Sequence, residues 1–184
     1  MRRILQLALV LFCVQASAQT KPLRYGGNVQ AGLLEGEVGS TFQLQTVNGI
    51  QYKTWFAGLG VGLDYYHTRT LPLFTAFRKD WKGGAKTPFV YVNSGYNFPW
   101  LRDRDKSWGE TNTEGGLYFD AGIGYQLPVL KTSALFFSAG YSEKHFSITR
   151  TDGYYIDIWP RPDPRKTVTA YSLRRLSIQT GLRF

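Results

Sequence analysis

Cysteine, methionine and histidine are scarce in this 184-residue chain, which contains one, one and two of them respectively. Cys13 lies inside an apolar amino-terminal run, so the sequence predicts neither a disulfide framework nor a thiolate metal site in the rest of the chain. Clusters with metal-ligand spacing and nucleotide- or phosphate-binding motifs are also missing. The sequence therefore predicts no metal and no cofactor. No apolar run reaches the roughly 20 residues that a membrane-spanning helix needs.

The amino terminus has the three parts of a secretory signal peptide. Arg2 and Arg3 form its basic end, Ile4 to Val14 form its apolar run, and Ala16-Ser17-Ala18 is a small-residue cleavage site. Cleavage is predicted after Ala18. Residues 1–18 would then be the signal peptide, and residues 19–184 a single domain.

Glycine is abundant, at 20 residues, and aromatic residues make up 16% of the chain, while mean hydropathy is only −0.26. The segment after Gln51 explains this combination, because large apolar residues alternate there with small or polar ones. One face carries Trp55, Ala57, Leu59, Val61, Leu63 and Tyr65, and the other carries Phe56, Gly58, Gly60, Gly62 and Asp64. Ten steps at about 3.3 Å, tilted by about 40°, give about 25 Å of height with an aromatic residue at each end.

The same alternation recurs along the chain and predicts eight strands. Their approximate bounds are Tyr25–Leu34, Glu37–Val47, Gln51–Tyr65, Leu71–Trp81, Pro88–Phe98, Leu117–Leu127, Ala134–Ile148 and Val168–Phe184. Asn48-Gly49 is predicted to form a tight hairpin, because both residues tolerate a positive φ. The other short connections are Lys82–Thr87 and Pro128–Thr132. At the opposite end lie Leu34–Glu37, Tyr66–Leu71, Pro99–Gly115 and Thr149–Lys166, and the last two of these are long.

The final strand places Leu176, Ile178 and Leu182 on one face and ends on Phe184. This ending resembles the last strand of bacterial outer-membrane β-barrels, in which a terminal aromatic residue is an assembly signal. In strand number, loop asymmetry and final residue, residues 19–184 resemble the small OmpA/OmpX-type barrels. The resemblance implies an all-β, eight-stranded antiparallel transmembrane barrel with an up-and-down meander. It also implies an outer-membrane location, assembly by the outer-membrane insertion machinery, and a role in envelope structure or surface recognition.

A secreted, soluble lipocalin-like barrel also has eight strands, but it turns its apolar face inward. Here the small and polar face suits a narrow interior and the bulky apolar face suits lipid, so the membrane barrel is preferred. The charge is consistent with this preference. The formal charge is +9, and loss of Arg2 and Arg3 leaves 20 basic and 13 acidic side chains, or +7. Lipopolysaccharide and phospholipid headgroups are the expected partners, and the export signal argues against nucleic acid.

The predicted inner face includes six charged residues, which are Asp64, Arg78, Asp120, Lys144, Arg175 and Arg183. They are interpreted as a hydrogen-bonded ionic network that fills the lumen, because eight strands leave room for little more than the barrel's own side chains. The alternative is an ion or small-solute pathway.

The two long connections mix charged residues with aromatic ones, namely Trp100, Trp108, Tyr154, Tyr155 and Trp159. Exposed aromatic residues beside arginine and lysine are typical of protein contact surfaces. These residues are therefore candidates for contact with an extracellular ligand. Otherwise they pack the loops together.

One arrangement on the outer wall suggests catalysis. Glu143, His145 and Ser147 alternate along the seventh strand, and a His that activates a Ser hydroxyl is the usual arrangement for acyl hydrolysis. The H-x-S pair resembles that of outer-membrane lipid A deacylases, although Ile148 follows the Ser where Asn is usual in that family. The alternative interpretation is a polar rim on a strand that leaves the membrane.

Overall fold

The alternating pattern produces a wall of β-strands. The computed structural model describes residues 23–37, 39–65, 68–81, 86–100, 110–130, 132–151 and 166–184. In these residues there are nine strands, β1 (Arg24–Gly36), β2 (Gly39–Tyr52), β3 (Trp55–Asp64), β4 (Thr70–Asp80), β5 (Thr87–Pro99), β6 (Glu110–Glu114), β7 (Gly116–Pro128), β8 (Ala134–Thr151) and β9 (Lys166–Arg183). No helix in these ranges is long and apolar enough to cross a membrane.

The strands form one closed antiparallel sheet. Strands β1 to β5 pair in chain order, β5 pairs with β7, β7 with β8 and β8 with β9, and β9 returns to β1. Strand β6 pairs with β8 above β7, and only Gly115 separates β6 from β7, so β6 continues β7 along the same edge of β8 and does not add a ninth strand to the wall. The predicted eight-stranded meander barrel is confirmed.

The wall is staggered by ten residues. A path that starts at Arg24 of β1 and moves at each step to the pairing partner on the next strand returns to β1 at Leu34. It passes through Gln51, Phe56, Arg78, Tyr91, Gly122, Gly140 and Ser177. The path returns to β1 at position 34 after leaving it at position 24. For eight strands, this stagger corresponds to a tilt of about 35–45° and to an interior that side chains can fill.

The outer surface of the wall is apolar, and the interior combines many polar and charged side chains with two small clusters of apolar ones. Large exposed apolar side chains cover the outside, among them Val29, Leu59, Phe77, Ile123, Leu176 and Ile178. Buried polar and charged residues fill the inside, among them Gln30, Gln45, Asn93, Asp120, Ser138 and Gln179. This is the reverse of a soluble lipocalin-like barrel, so that alternative is wrong.

Exposed aromatic residues border the apolar band at both ends. The lower rim, where β9 ends, carries Tyr25, Trp55, Trp81 and Phe184, and the upper rim carries Phe42, Tyr65, Tyr96, Phe98 and Trp100. Aromatic residues at two levels about 25 Å apart are typical of barrels that span an outer membrane.

The predicted hairpin at Asn48-Gly49 is wrong. Strand β2 continues through both residues to Tyr52, and the chain turns at Lys53, which has a φ of 55°. Gly49 faces Gly58 across the β2–β3 pair, and a Cβ atom at Gly49 would lie 2.2 Å from the carbonyl oxygen of Ala57. The glycine therefore permits a close approach of two strands and does not form a turn.

Two predicted loops are shorter than expected. Strand β6 lies within the predicted loop Pro99–Gly115, and β8 extends to Thr151 where the strand was predicted to end at Ile148. The signal peptide and the remaining parts of the long loops lie outside the described residues.

Candidate functional site

The lower lumen is closed by two arginines that share one carboxylate. Arg78 donates from Nε to Oδ1 of Asp80 at 2.7 Å, and Arg183 donates from Nη1 to Oδ2 of the same residue at 3.1 Å. Arg183 also donates to Gln126 at 3.0 Å and to Gln51. The guanidinium carbon of Arg78 lies 3.5 Å from the centre of the Phe89 ring. Both cations are therefore held in place by charge-assisted hydrogen bonds and ring contacts.

Asp120 is the centre of the middle lumen. Its carboxylate accepts hydrogen bonds from Gln179 at 3.1 Å, from the Ser177 hydroxyl at 3.2 Å and from the Tyr91 and Tyr118 hydroxyls at 3.3 and 3.4 Å. The residue is fully buried. These four donors come from β5, β7 and β9, so one carboxylate links different sides of the barrel.

The upper lumen holds the third acidic residue. Asp64 pairs with the ammonium group of Lys144 and accepts a hydrogen bond of 2.8 Å from the Thr70 hydroxyl. The same ammonium group lies 5.3 Å from the centre of the Tyr118 ring. Arg175 is buried at the same side of the lumen, with 3% of its surface exposed.

The structure thus places the six predicted lumen residues inside the barrel at three levels. Asp80, Gln126 and Gln179 were not predicted from the sequence to be members of the network, although each binds at least one of the six. Asp80 could have been found because it shares a face with Arg78, two residues away. The two glutamines contact partners two strands away, because Gln126 and Asp120 are on β7 whereas Arg183 and Gln179 are on β9. These contacts depend on the stagger of the wall.

Little space remains between these side chains. A cavity of about 30 Å³ lies in the lower half of the lumen, bordered by Phe56, Arg78, Phe89, Tyr91 and Phe136. A water molecule needs roughly 10–15 Å³ of such space, so this cavity has room for one or two. A wider recess of about 460 Å³ opens at the lower mouth, beside Arg24, Gln126 and Phe184.

The three residues on the outer wall are only partly connected. His145 Nε2 lies 3.2 Å from Oε1 of Glu143, and Glu143 also lies 3.5 Å from Nε of Arg174. Ser147 donates instead to Glu114 of β6 at 3.5 Å, at the limit of a hydrogen bond. Among the described residues, no hydrogen bond joins His145 to Ser147. Glu114 was not predicted from the sequence, because its segment was assigned to a loop.

Strands β8 and β9 continue above the wall. The β1–β9 pairing ends at Glu35 and Leu176, and the β7–β8 pairing ends at Tyr118 and Lys144. Strands β8 and β9 remain paired up to Thr151 and Lys166, and β6 joins the free edge of β8. We call this three-stranded structure, formed by residues 110–114, 145–151 and 166–173, the extension.

The extension has two different faces. Phe146 and Tyr171 stack with their rings 4.9 Å apart on the side that continues the lumen surface, and Phe146 and Ile148 are buried there. The opposite face is rich in hydroxyl, amide and carboxylate groups and includes Asn112, Glu114, Ser147, Thr149 and Ser172. Six residues beyond His145, at about 3.3 Å each, give the extension about 20 Å along the strand.

One of the predicted loop aromatics lies in the described part of the chain. Trp100 is exposed, and the guanidinium carbon of Arg69 lies 3.9 Å from the centre of its ring. The Trp100 amide also donates to the Arg69 carbonyl at 2.7 Å. Trp108, Tyr154, Tyr155 and Trp159 lie outside the described residues. Among the described residues, no group of three or more His, Cys, Asp or Glu side chains is placed to hold a metal ion.

No protein-family model matches the chain, and no curated protein matches it. Among solved structures, Neisserial surface protein A has a TM-score of 0.50 at 14% identity, over 89% of this chain and 98% of that one. A major outer membrane protein from Thermus thermophilus has a TM-score of 0.45 at 13% identity, over 88% and 100% of the two chains. Outer membrane protein AlkL has a TM-score of 0.49 at 12% identity, over 88% and 89%. The chain has the fold of the small eight-stranded outer-membrane β-barrels.

Proposed function

We propose that this protein is a non-conducting barrel of the bacterial outer membrane that anchors a surface-recognition structure, which consists of the extension and the segments 101–109 and 152–165 that adjoin its strands in sequence. The observation that carries the proposal is the continuation of β8 and β9 above the wall, together with the pairing of β6 along β8. A barrel that only had to span the membrane would not need these additional residues.

The outward placement of the apolar side chains supports the membrane location. Residues such as Leu59, Ile123 and Ile178 lie in the band between the two aromatic rims, and each exposes more than 60% of its surface. Apolar patches of this extent are not stable in water, whereas the acyl chains of lipids would cover them.

The filled lumen supports an anchor in preference to a pore. The salt bridges of Asp80 and Asp64 and the hydrogen bonds of Asp120 occupy the lower, upper and middle levels. A cavity of about 30 Å³ is too small for a hydrated ion or a nutrient.

Two measurements test the proposal. Barrels reconstituted in planar bilayers should give no steady conductance, and stable single channels in the wild-type protein would contradict the closed lumen. Proteoliposomes that carry the barrel should bind selected spots on an array of bacterial and host glycans and matrix proteins.

The matched variant for the array removes most of the part of the extension that β8 and β9 contribute, together with the segment between these strands, and keeps the wall. Ser147 pairs with Ala170, so residues 148–169 can be replaced by an Asn-Gly turn between these two positions. We expect this variant to remain a folded barrel and to lose the array signal. An unchanged signal would show that the extension does not carry recognition.

The second candidate is a lipid A acyl hydrolase. The 3.2 Å contact between Glu143 and His145 supports it, because a carboxylate that orients the imidazole is one part of such a site. The missing contact between His145 and Ser147 weighs against it, although such contacts are often longer before the substrate binds. We therefore place this activity second.

A further inference from the structure

The lower rim of the barrel is basic. Among the described residues at this end, the exposed charged side chains are Arg24, Lys53, Lys79 and Lys86, and none of the exposed side chains there is acidic. The upper end differs, because exposed or partly exposed acidic and basic residues are mixed there, as in the pair of Glu143 and Arg174.

The sequence at the lower end has the same bias. The segments 53–54, 81–86 and 129–133 connect strands at this end, and they contain no Asp or Glu. Asp80 is the acidic residue nearest to this rim, but its side chain is buried in the lumen and is neutralised by Arg78 and Arg183. Among the described residues, therefore, no exposed side-chain carboxylate at this rim offsets its four basic side chains.

Two of the basic side chains lie against aromatic rings. Lys79 is on the outer wall, where it pairs across the strands with Trp55, and its ammonium nitrogen lies 4.3 Å from the centre of the Trp55 ring. The ammonium nitrogen of Lys53 lies 5.1 Å from the centre of the Tyr52 ring. These cation–π contacts hold positive charge at the level of the aromatic rim.

That level is where lipid headgroups are found. Tryptophan and tyrosine side chains lie at the membrane–water interface, and lysine side chains near it extend their charge toward the headgroups. Trp81 and Tyr25 mark the same level, since both are exposed on the outside of the wall. Lys79 would therefore face a lipid phosphate directly.

The lower rim carries the short connections between strands, which face the periplasm in outer-membrane barrels, and so it lies in the inner leaflet. We propose that this rim binds the phosphate groups of anionic phospholipids of the phosphatidylglycerol class in that leaflet. This inference rests on the proposed outer-membrane location. The position of Lys79 on the lipid-facing wall favours a lipid over the cell wall, which would contact only the end surface of the barrel. The basic rim and the anionic headgroups are complementary in charge, whereas the mixed charges of the upper rim are less so.

The test measures lipid binding to the folded barrel. Detergent-solubilised protein is titrated with dioleoyl-phosphatidylglycerol or with dioleoyl-phosphatidylcholine, and native mass spectrometry gives the dissociation constant of each. We expect tighter binding of phosphatidylglycerol, weakened by added salt, because a Debye length of about 10 Å at 0.1 M falls to about 3 Å at 1 M.

Two triple variants distinguish an effect of the lower-rim charges on lipid binding from an effect of the net charge of the protein. Lys53→Gln, Lys79→Gln and Lys86→Gln remove three charges from the lower rim, and Arg150→Gln, Lys166→Gln and Arg174→Gln remove three from the upper end. We expect phosphatidylglycerol binding to weaken by about fivefold for each lysine removed at the lower rim. The upper variant should keep the wild-type constant.

Several outcomes would overturn the inference. They are equal affinity for the two lipids, equal losses in the two variants, or a lower-rim variant that loses co-sedimentation with purified peptidoglycan but keeps its lipid affinity. A separate result would indicate failure of the membrane location itself. In that case the wild-type chain would stay folded and monomeric in buffer without detergent.

Discussion

Gly27 and Phe184 exchange two main-chain hydrogen bonds across the seam between β1 and β9, with N–O distances of 2.9 and 3.0 Å. The phenyl ring of Phe184 covers Gly27, because a Cβ atom at Gly27 would lie 2.9 Å from that ring. The final residue is therefore part of the wall as well as a candidate assembly signal. Its side chain is exposed on the outside of the lower rim.

Replacement of Phe184 by Ala should reduce the amount of folded barrel in outer-membrane fractions. The expected reason is that the Phe184 ring covers the seam and is also the group by which the insertion machinery is expected to recognise the last strand. Heat-modifiable migration on gels measures the folded fraction. Phe137→Ala is the matched control, because it removes a phenyl group from the outer wall of β8. Equal losses in the two variants would contradict a special role of Phe184.

Replacement of Asp120 by Ala should destabilise the barrel by at least about 3 kcal/mol, because four buried donors lose their acceptor. Tyr91→Phe removes one of these bonds and should cost only about 1 kcal/mol. Urea unfolding in lipid vesicles, followed by tryptophan fluorescence, gives both values. An Asp120→Ala variant as stable as Tyr91→Phe would show that Asp120 does not link the sides of the lumen.

The pair of Asp64 and Lys144 is suited to a double-mutant cycle. Asp64→Leu or Lys144→Leu alone leaves a buried charge and should lower the free energy of unfolding by about 3–5 kcal/mol. The double variant should lose less than the sum of the two, because it removes both charges. Additive losses would mean that Asp64 and Lys144 do not stabilise each other, and that other groups in the upper lumen, such as the buried Arg175, determine their contributions to the free energy of unfolding.

The β2–β3 hairpin gives two opposite predictions. Gly49→Val should destabilise the barrel by about 1–3 kcal/mol, because the new side chain meets the Ala57 carbonyl. Lys53→Gly should stabilise it by up to about 1 kcal/mol, because Lys53 has a φ of 55°. Unfolding midpoints in the same vesicles measure both changes. If Gly49→Val were neutral, the two strands would not approach as closely as described.

Expression of the protein should leave the acylation of lipid A unchanged, since His145 and Ser147 are not hydrogen-bonded to each other. Mass spectrometry of lipid A from cells with and without the protein provides the measurement. If one acyl chain is lost, and the loss disappears in Ser147→Ala but not in Ser172→Ala, the hydrolase becomes the first candidate. Ser172 is the matched control, because it is the pairing partner of His145 on β9.

The inside and the outside of the wall could be predicted because a period of two assigns every side chain to a face. Arg78 and Asp80 follow directly from this rule, since they lie two residues apart on the inner face. The contact between Asp80 and Arg183 does not follow from it. These residues are 103 positions apart, and their meeting depends on a stagger of ten residues that hydropathy does not reveal.

Two predictions from the sequence, the Asn48-Gly49 hairpin and the Pro99–Gly115 loop, were wrong for physical reasons that the sequence does not reveal. Asn-Gly occurs in tight turns, but a glycine also permits the close approach of two strands, as Gly49 does. Strand β6, with the sequence ETNTE, is polar on both faces because it lies above the apolar band. Without an apolar face it could not be distinguished from a loop, and so Glu114 was not placed beside Ser147.

The seam joins the earliest and the latest parts of the wall, since Asn28 of β1 pairs with Arg183 of β9. Strand β1 is synthesised first, and one of its edges pairs with β2. Its other edge can pair only after β9, the last strand, has been synthesised. At roughly 5–20 residues per second, the 155 positions between them correspond to a delay on the order of ten seconds or more. The wall therefore cannot close until synthesis of the chain is almost complete, and closure is a late step that local pairing of neighbouring strands cannot replace.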